Sequence, residues 1–162
     1  MITTLSTEQQ GVLENFRAET PVRVGALASA LGLGIVQSTL HPGISGQIEP
    51  SNDYPAGFLI RVNRHEVKER KRFTIAHEIG HYALHKDRIG HGITDTILYR
   101  SKLSSNLEVE ANKFAAQLLM PLAKVREYLH EFGGRKDRQV AVEIARKFEV
   151  STDAMEIRLG LR

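Results

Sequence analysis

The stretch from His77 to His81 reads His-Glu-Ile-Gly-His, and its neighbours on both sides are mostly small or apolar. On an α-helix, residues four apart lie about 40° apart on one face and one turn from each other. His77 and His81 would therefore point the same way from a helix that is buried. Burying two imidazoles and the carboxylate of Glu78 is costly unless they share a partner. The stretch therefore predicts a buried helix whose polar side chains meet at a common ligand.

A metal ion is the ligand that this pattern favours. Two imidazole nitrogens four residues apart can reach one zinc ion at about 2 Å each. Glu78 follows the first histidine directly, so its carboxylate can approach a water on the metal without binding the metal itself. Such a water needs a general base to accept its proton. We therefore predict His77 and His81 as ligands and Glu78 as the base. Although three fixed residues in five also arise by chance, the buried surroundings favour the metal site.

A catalytic zinc site needs a third protein ligand and one open position. His85 lies eight residues after His77, which corresponds to about 80° of rotation and about 12 Å of rise. Three histidines of one straight helix cannot converge at that spacing, so we expect His85 to pack or hydrogen-bond at the helix end. His91, in a glycine-flanked loop, is a weaker candidate.

A second helix, predicted over 107–120, is the better source of the third ligand. Glu108 and Asn112 share one face of it, so Glu108 can bind the metal while Asn112 supports a histidine ring. Glu110 has the apolar Phe114 at the equivalent spacing, which suits a solvated or capping carboxylate. We predict Glu108 as the third ligand, with Glu110 as the open alternative.

The remaining pattern predicts an α+β fold. Helical periodicity, caps and breakers indicate helices over 6–19, over a short segment after Pro21 that is stopped by Gly32 and Gly34, and over 67–85, 107–120, 122–132, 139–148 and 152–159. Strands are predicted over 35–40, 44–50, 56–63 and 96–100. Short strands joined by turns indicate a small, mostly antiparallel sheet packed against helices, zincin-like in its histidine helix. We predict one domain over 1–162, with a helical C-terminal part from about 122.

Composition excludes several other classes of site. The chain of 162 residues contains no cysteine, which rules out disulfides, a thiol nucleophile and a cysteine-built zinc site. No apolar run approaches the roughly 20 residues that span a bilayer. The first ten residues lack the basic start and apolar core of a secretory signal. We therefore expect a cytoplasmic protein with no membrane partner.

Two segments, RFTIAHEIGHYALH (72–85) and EVEANKFAAQLLMP (108–121), together resemble the ImmA/IrrE family of zinc metallopeptidases. The similarity continues upstream and downstream, from about Pro21 onward. The resemblance implies a gluzincin-like site, in which one catalytic Zn²⁺ is held by His77, His81 and the glutamate of the second helix, with Glu78 as the base. Family members typically cut a helix-turn-helix repressor and so relieve repression of stress-response, mobile-element or phage-defence genes. A repressor is therefore the expected protein substrate.

Two other functions are considered beside this one. The chain has 22 Lys and Arg against 19 Asp and Glu, and residues 140–159 have the shape of a helix-turn-helix, so a DNA-binding regulator is the main alternative. Its second helix would bring Asp153 and Glu156 toward phosphates, which disfavours nucleic-acid binding. The other alternative is a non-catalytic module that binds a metal or a repressor. Glu78 argues against that module, because metal binding alone does not require it.

Overall fold

The structure, a computed structural model, describes residues 3–96 and 106–162. Over these residues the chain forms helices α1 (Thr7–Arg17), α2 (Val24–Ala30), α3 (Lys68–His85), α4 (Asn106–Leu119), α5 (Leu122–Glu131), α6 (Arg138–Phe148) and α7 (Thr152–Arg158). The strands are β1 (Gly34–Ser38), β2 (Ile44–Pro50), β3 (Phe58–Asn63) and β4 (Ile93–Thr96), and a 3₁₀ turn (Lys86–Arg88) follows α3. The predicted α+β class is confirmed. None of these helices, over the residues described, has the length and hydrophobicity needed to cross a membrane.

The four strands form one sheet in the order β1-β3-β2-β4. Strand β2 pairs antiparallel with both β3 and β4, so the sheet is mostly antiparallel, as predicted. Strand β1, however, runs parallel to β3. Turn-rich connections predict that consecutive strands reverse direction, but they do not predict which strands become neighbours. Because β3 lies between β1 and β2, one pairing of the sheet is parallel.

Local signals predicted most element ends. Ser6 and Ser151 cap α1 and α7, each accepting a hydrogen bond from a backbone N–H in the first turn. Pro121 separates α4 from α5. Gly34, predicted to help stop the second helix, is instead the first residue of β1 and is buried. The ring of Tyr54 lies against it and leaves no room for a Cβ atom, so this glycine serves packing.

The strand predicted over 96–100 overlaps the described residues only at Thr96, which does lie in a strand. The structure has β4 at Ile93–Thr96, paired with β2. Residues 97–100, which make up the rest of that prediction, lie outside the described residues. The alternation in this segment is too short to fix the strand ends.

Helix α3 lies against the sheet and is buried over most of its length. Ile75 and Ile79 of α3 belong to one apolar core together with Ile48 of β2 and Ile60 of β3. Each is at least 91% buried, so the hydrophobic effect favours this packing by about 25 cal/mol per Å² of apolar surface removed from water. The sheet therefore fixes the position of the helix that carries the two histidines.

Arg72 joins α3 to the C-terminal helices. Its guanidinium, 11% exposed, donates hydrogen bonds to the carbonyl oxygens of Val22 at 2.8 Å, Phe148 at 3.2 Å and Glu149 at 3.0 Å. A guanidinium has five N–H donors in a planar fork, which suits several carbonyl groups at once. The end of α6 is therefore held against the first half of α3.

Candidate metal centre

Helix α3 places the three residues of the His-Glu-x-x-His pattern in the interior. The exposed fractions are 6% for His77 and zero for Glu78 and His81. The two imidazole rings meet edge to face, with centroids 4.7 Å apart and ring planes at 88°. The i, i+4 spacing thus brings both rings to one side of the helix, as its geometry requires.

Helix α4 brings the carboxylate of Glu108 to both histidine rings. Oε2 of Glu108 lies 3.1 Å from Nε2 of His77, and Oε1 lies 2.9 Å from Nε2 of His81. The three side chains offer ligand atoms that all lie within 4.8 Å of one another. A tetrahedral zinc ion with ligands at about 2.0–2.1 Å holds neighbouring ligand atoms about 3.3 Å apart. The two separations between a histidine nitrogen and a carboxylate oxygen of Glu108, 3.1 and 2.9 Å, are close to that value, so the three residues are a candidate ligand set for one ion.

Asn112 orients the ring of His77. Its Oδ1 atom lies 2.8 Å from Nδ1 of His77. An amide oxygen only accepts a hydrogen bond, so Nδ1 must be the donor. In the neutral imidazole this leaves the lone pair on Nε2, the atom that faces Glu108. Asn112 therefore presents His77 in the tautomer that a metal ligand needs.

Glu110 faces His85, not the two histidines that Glu108 contacts. Its Oε1 atom lies 3.1 Å from Nε2 of His85, and its side chain is 48% exposed. Nδ1 of His85 in turn lies 2.9 Å from Nδ1 of His81. Burial lowers the pKa of His85, while the hydrogen bond with Glu110 opposes that shift. The expectation that His85 hydrogen-bonds at the helix end agrees with this contact.

The contact between Glu110 and His85 was not predicted. The sequence favours a solvated or capping carboxylate at Glu110, or the alternative third ligand. The available signal was the i, i+4 spacing of His81 and His85, which repeats the spacing of His77 and His81. The remaining histidines of the described residues are exposed and do not belong to the cluster of possible ligands, namely His41, His65, His91 and His130.

The close approach of α3 and α4 depends on small residues. A Cβ atom on Gly80 would lie 3.1 Å from Cδ1 of Phe114 and 3.3 Å from the Cα atom of Ala111. Ala111 and Ala115 are completely buried. Since Glu108 reaches the histidines from α4, the distance between the two helices sets the size of the site.

We predict that Gly80→Ala weakens zinc binding. Alanine gains about 1 kcal/mol of helix propensity, but overpacking against Phe114 costs about 1–3 kcal/mol. The expected result is a free energy of unfolding unchanged or lower by up to about 2 kcal/mol, together with weaker zinc affinity, because α4 must move away from α3. Chemical denaturation and zinc titration measure the two quantities.

A matched control is Gly11→Ala, because Gly11 lies inside α1 with no atom close to the added Cβ. That substitution should raise the free energy of unfolding by about 1 kcal/mol and leave zinc affinity unchanged. Equal zinc affinity in Gly80→Ala and the unaltered chain would contradict the role given to this packing.

The helix pair considered as a DNA reader does form, as α6 and α7. Its acidic side chains form ion pairs with arginines. Nη1 of Arg138 lies 2.6 Å from Oε1 of Glu156, and Nη2 of Arg162 lies 2.8 Å from Oδ1 of Asp153. Met155 and Glu156 of α7 are buried. These contacts use α7 for packing and for intramolecular ion pairs, and they leave DNA binding without support from this surface.

The basic stretch 61–73 is also engaged within the fold. Nε of Arg61 lies 2.7 Å from Oε1 of Glu49, and Nζ of Lys68 lies 2.9 Å from Oε1 of Glu149. Arg72 is partly buried and donates to three carbonyl groups. These contacts use charges of this stretch within the fold, and they give no support to a nucleic-acid surface here.

Comparisons with known proteins point to one family. Residues 45–160 match the sequence profile of a peptidase family described as the IrrE N-terminal-like domain. Radiation response metalloprotease IrrE of Deinococcus deserti is 31% identical over 157 residues, covering 90% of this chain and 55% of that protein. Metallopeptidase ImmA of Bacillus subtilis is 36% identical over 85 residues, covering 52% of this chain and 47% of that protein. An uncharacterized immunity region protein of Bacillus phage phi105 is 27% identical over 128 residues, covering 78% of this chain and 74% of that protein. The chain spans about half the length of the two named metallopeptidases.

Proposed function

The chain belongs to the ImmA/IrrE family, whose peptidase domain is described as IrrE N-terminal-like, and we propose that it is a zinc-dependent endopeptidase that cleaves a helix-turn-helix repressor. The main supporting observation is that Nε2 of His77 and Nε2 of His81 both face the carboxylate of Glu108, at 3.1 and 2.9 Å. The names of the relatives support metallopeptidase chemistry in general.

The donor set supports zinc as the metal. Two imidazole nitrogens and one carboxylate oxygen are a known ligand set of catalytic zinc sites, and imidazole favours zinc over magnesium or calcium. We propose that His77 and His81 would hold the ion through Nε2 and Glu108 through its carboxylate. A bound zinc ion would supply Lewis acidity, lowering the pKa of water and polarising the peptide carbonyl group.

Glu78 is proposed as the proton carrier of the reaction. It follows His77 directly on α3 and has no exposed surface, so its carboxylate lies in the same buried interior as the two histidines. In the proposed mechanism this carboxylate accepts one proton from the attacking water and passes it to the amine as the C–N bond breaks. A new carboxyl group and a free amine are the products. Because holding a metal does not require Glu78, this residue favours an enzyme over a binding module.

The repressor substrate rests on the family resemblance and on one relative. Members of the family typically cut helix-turn-helix repressors, and the phage relative is named an immunity region protein. By this proposal the chain takes part in transcription regulation, in stress response or phage immunity. The partner is a folded protein that presents one cleavable segment.

We also propose that residues 1–162 act as one domain. One apolar core cluster includes residues from Leu5 to Leu159, and Arg72 links α3 to the end of α6. The C-terminal helices would then support the catalytic helix rather than read DNA.

Metal removal tests the proposed activity. Helix-turn-helix repressors from the source genome are purified, incubated with the zinc-loaded chain, and searched for fragments by mass spectrometry. We expect a single cut in one repressor, loss of that cut after 1,10-phenanthroline treatment, and its return when zinc is added after the chelator is removed. Zinc dependence is expected because both water activation and carbonyl polarisation need the ion.

The outcomes separate the activity from the substrate. A flexible unfolded protein is tested in parallel as a substrate. Its cleavage measures peptide hydrolysis that does not depend on recognition of a repressor. Zinc-dependent cutting of that protein, but of no repressor, would contradict the substrate and keep the peptidase. Cleavage that persists in the metal-free chain would contradict the mechanism, and a chain that neither binds zinc nor cuts any protein would overturn the whole proposal.

A further inference from the structure

A line of three side chains extends from the metal centre to the surface. Nδ1 of His81 lies 2.9 Å from Nδ1 of His85, and Nε2 of His85 lies 3.1 Å from Oε1 of Glu110. The rings of His81 and His85 are 5.2 Å apart, centroid to centroid. His81 is completely buried and His85 is 5% exposed, whereas the carboxylate of Glu110 is partly in solvent. His81 therefore faces Glu108 with one ring nitrogen and this line with the other.

The hydrogen positions along the line follow from counting donors and acceptors. Two Nδ1 atoms at hydrogen-bond distance need one hydrogen and one lone pair between them. A neutral His81 that binds a metal through Nε2 has its hydrogen on Nδ1, so Nδ1 of His85 must accept. The hydrogen of His85 is then on Nε2, which faces the carboxylate of Glu110, a group that only accepts when ionised. Both contacts are satisfied by the same assignment.

We propose that His85 and Glu110 are positioning residues for His81, holding its ring in the orientation and tautomer that bind the metal. This inference rests on the proposed zinc site. When the carboxylate of Glu110 accepts a hydrogen bond from His85, Nδ1 of His85 becomes a stronger acceptor for the hydrogen of His81. Nε2 of His81 is then more basic and binds a metal more strongly.

Helix α4 supports the two histidines by different means. Asn112 accepts directly from Nδ1 of His77 at 2.8 Å, whereas Glu110 acts on His81 through the intervening ring of His85. Asn112 lies about 40° from Glu108 around α4, and Glu110 lies about 160° from it. The metal site is thus supported from two positions of α4 that do not share a helix face. Loss of either support frees one ring to rotate.

Zinc affinity is the measurement that tests this inference. The zinc dissociation constant is obtained by competition with a chromogenic chelator for the unaltered chain, His85→Phe and Glu110→Ala. Each variant is expected to bind zinc about 10- to 100-fold more weakly, the range found for partners of metal ligands. His85→Gln should lie closer to the unaltered chain, because an amide oxygen can accept from His81 as Asn112 does from His77. Glu127→Gln, an exposed carboxylate on α5, is the control and should change nothing.

The double variant separates positioning from a general loss of stability. If Glu110 acts only through His85, Glu110→Ala should have little further effect in the His85→Phe background. The absorption spectrum of the cobalt-loaded chain should shift in both single variants, since the ligand field changes when a ring turns. Thermal unfolding of the metal-free proteins shows whether each variant is folded, and Glu110→Ala serves if His85→Phe is not.

Two results would overturn the inference: zinc affinity of folded His85→Phe or folded Glu110→Ala within twofold of the unaltered chain, or an effect of Glu110→Ala that is undiminished in the His85→Phe background. The unaltered chain is titrated first, which keeps the two proposals apart. Failure of that chain to bind zinc would overturn the proposed function itself. Tight zinc binding by the unaltered chain and the variants alike would overturn only the role of His85 and Glu110.

Discussion

Glu78→Gln is expected to keep its zinc and lose peptide cleavage. The amide has the shape of the carboxylate but cannot accept the proton of water near neutral pH, and a general base contributes about 10²- to 10⁴-fold to a rate. The value of kcat/KM for repressor cleavage should fall by about that factor. Zinc content is expected to stay at one ion per chain, because the atoms of His77, His81 and Glu108 that face one another are untouched. Elemental analysis and a fragment assay on one preparation measure both quantities.

The control for this variant lies on the same helix. Glu69, in the first turn of α3, lies nine residues before Glu78, and Glu69→Gln should keep both zinc and cleavage. Cleavage by Glu78→Gln at the rate of the unaltered chain would place the base elsewhere. Loss of zinc along with cleavage would show that Glu78 helps to hold the metal, which also contradicts the assigned role.

Local signals predicted the elements that position the site, because those signals act within a few residues. The histidine helix was expected over 67–85 and is observed as Lys68–His85, since its helical periodicity is visible in the sequence. The parallel pairing of β1 with β3 was not predicted. That pairing depends on which strand becomes the neighbour of another, and loop composition carries no such information.

In the candidate site, too, the sequence indicates local geometry but not the contacts between helices. The spacing of His77 and His81, and that of Glu108 and Asn112, each fix one helix face, so the sequence could indicate which side chains share a direction. The contact of Glu110 with His85 was missed, because Glu110 does not share the helix face of Glu108 and Asn112 and yet reaches α3. That reach depends on the close approach at Gly80, which is a property of the packed structure. The ligand roles themselves stay predictions.

Glu108→Gln is expected to lose tight zinc binding, whereas Glu110→Gln should keep one zinc ion at higher zinc concentrations. Glu108 supplies the one carboxylate of the described cluster. Apparent binding energies of about 10–16 kcal/mol at four-ligand zinc sites correspond to roughly 2.5–4 kcal/mol per ligand, or about 10²- to 10³-fold in affinity. Elemental analysis after zinc loading and dialysis distinguishes the two variants from the unaltered chain.

This pair of variants decides between the two glutamates that the sequence left open. They differ by two positions on α4 and carry the same chemical change, so general effects of lost charge on α4 are matched. Zinc lost from Glu110→Gln but retained by Glu108→Gln would reverse the assignment and make the contact of Glu108 with the two rings a metal-free ion pair. Retention by both would mean that the two histidines suffice for zinc binding. The site would then leave two coordination positions open, whereas a three-ligand zinc centre leaves one.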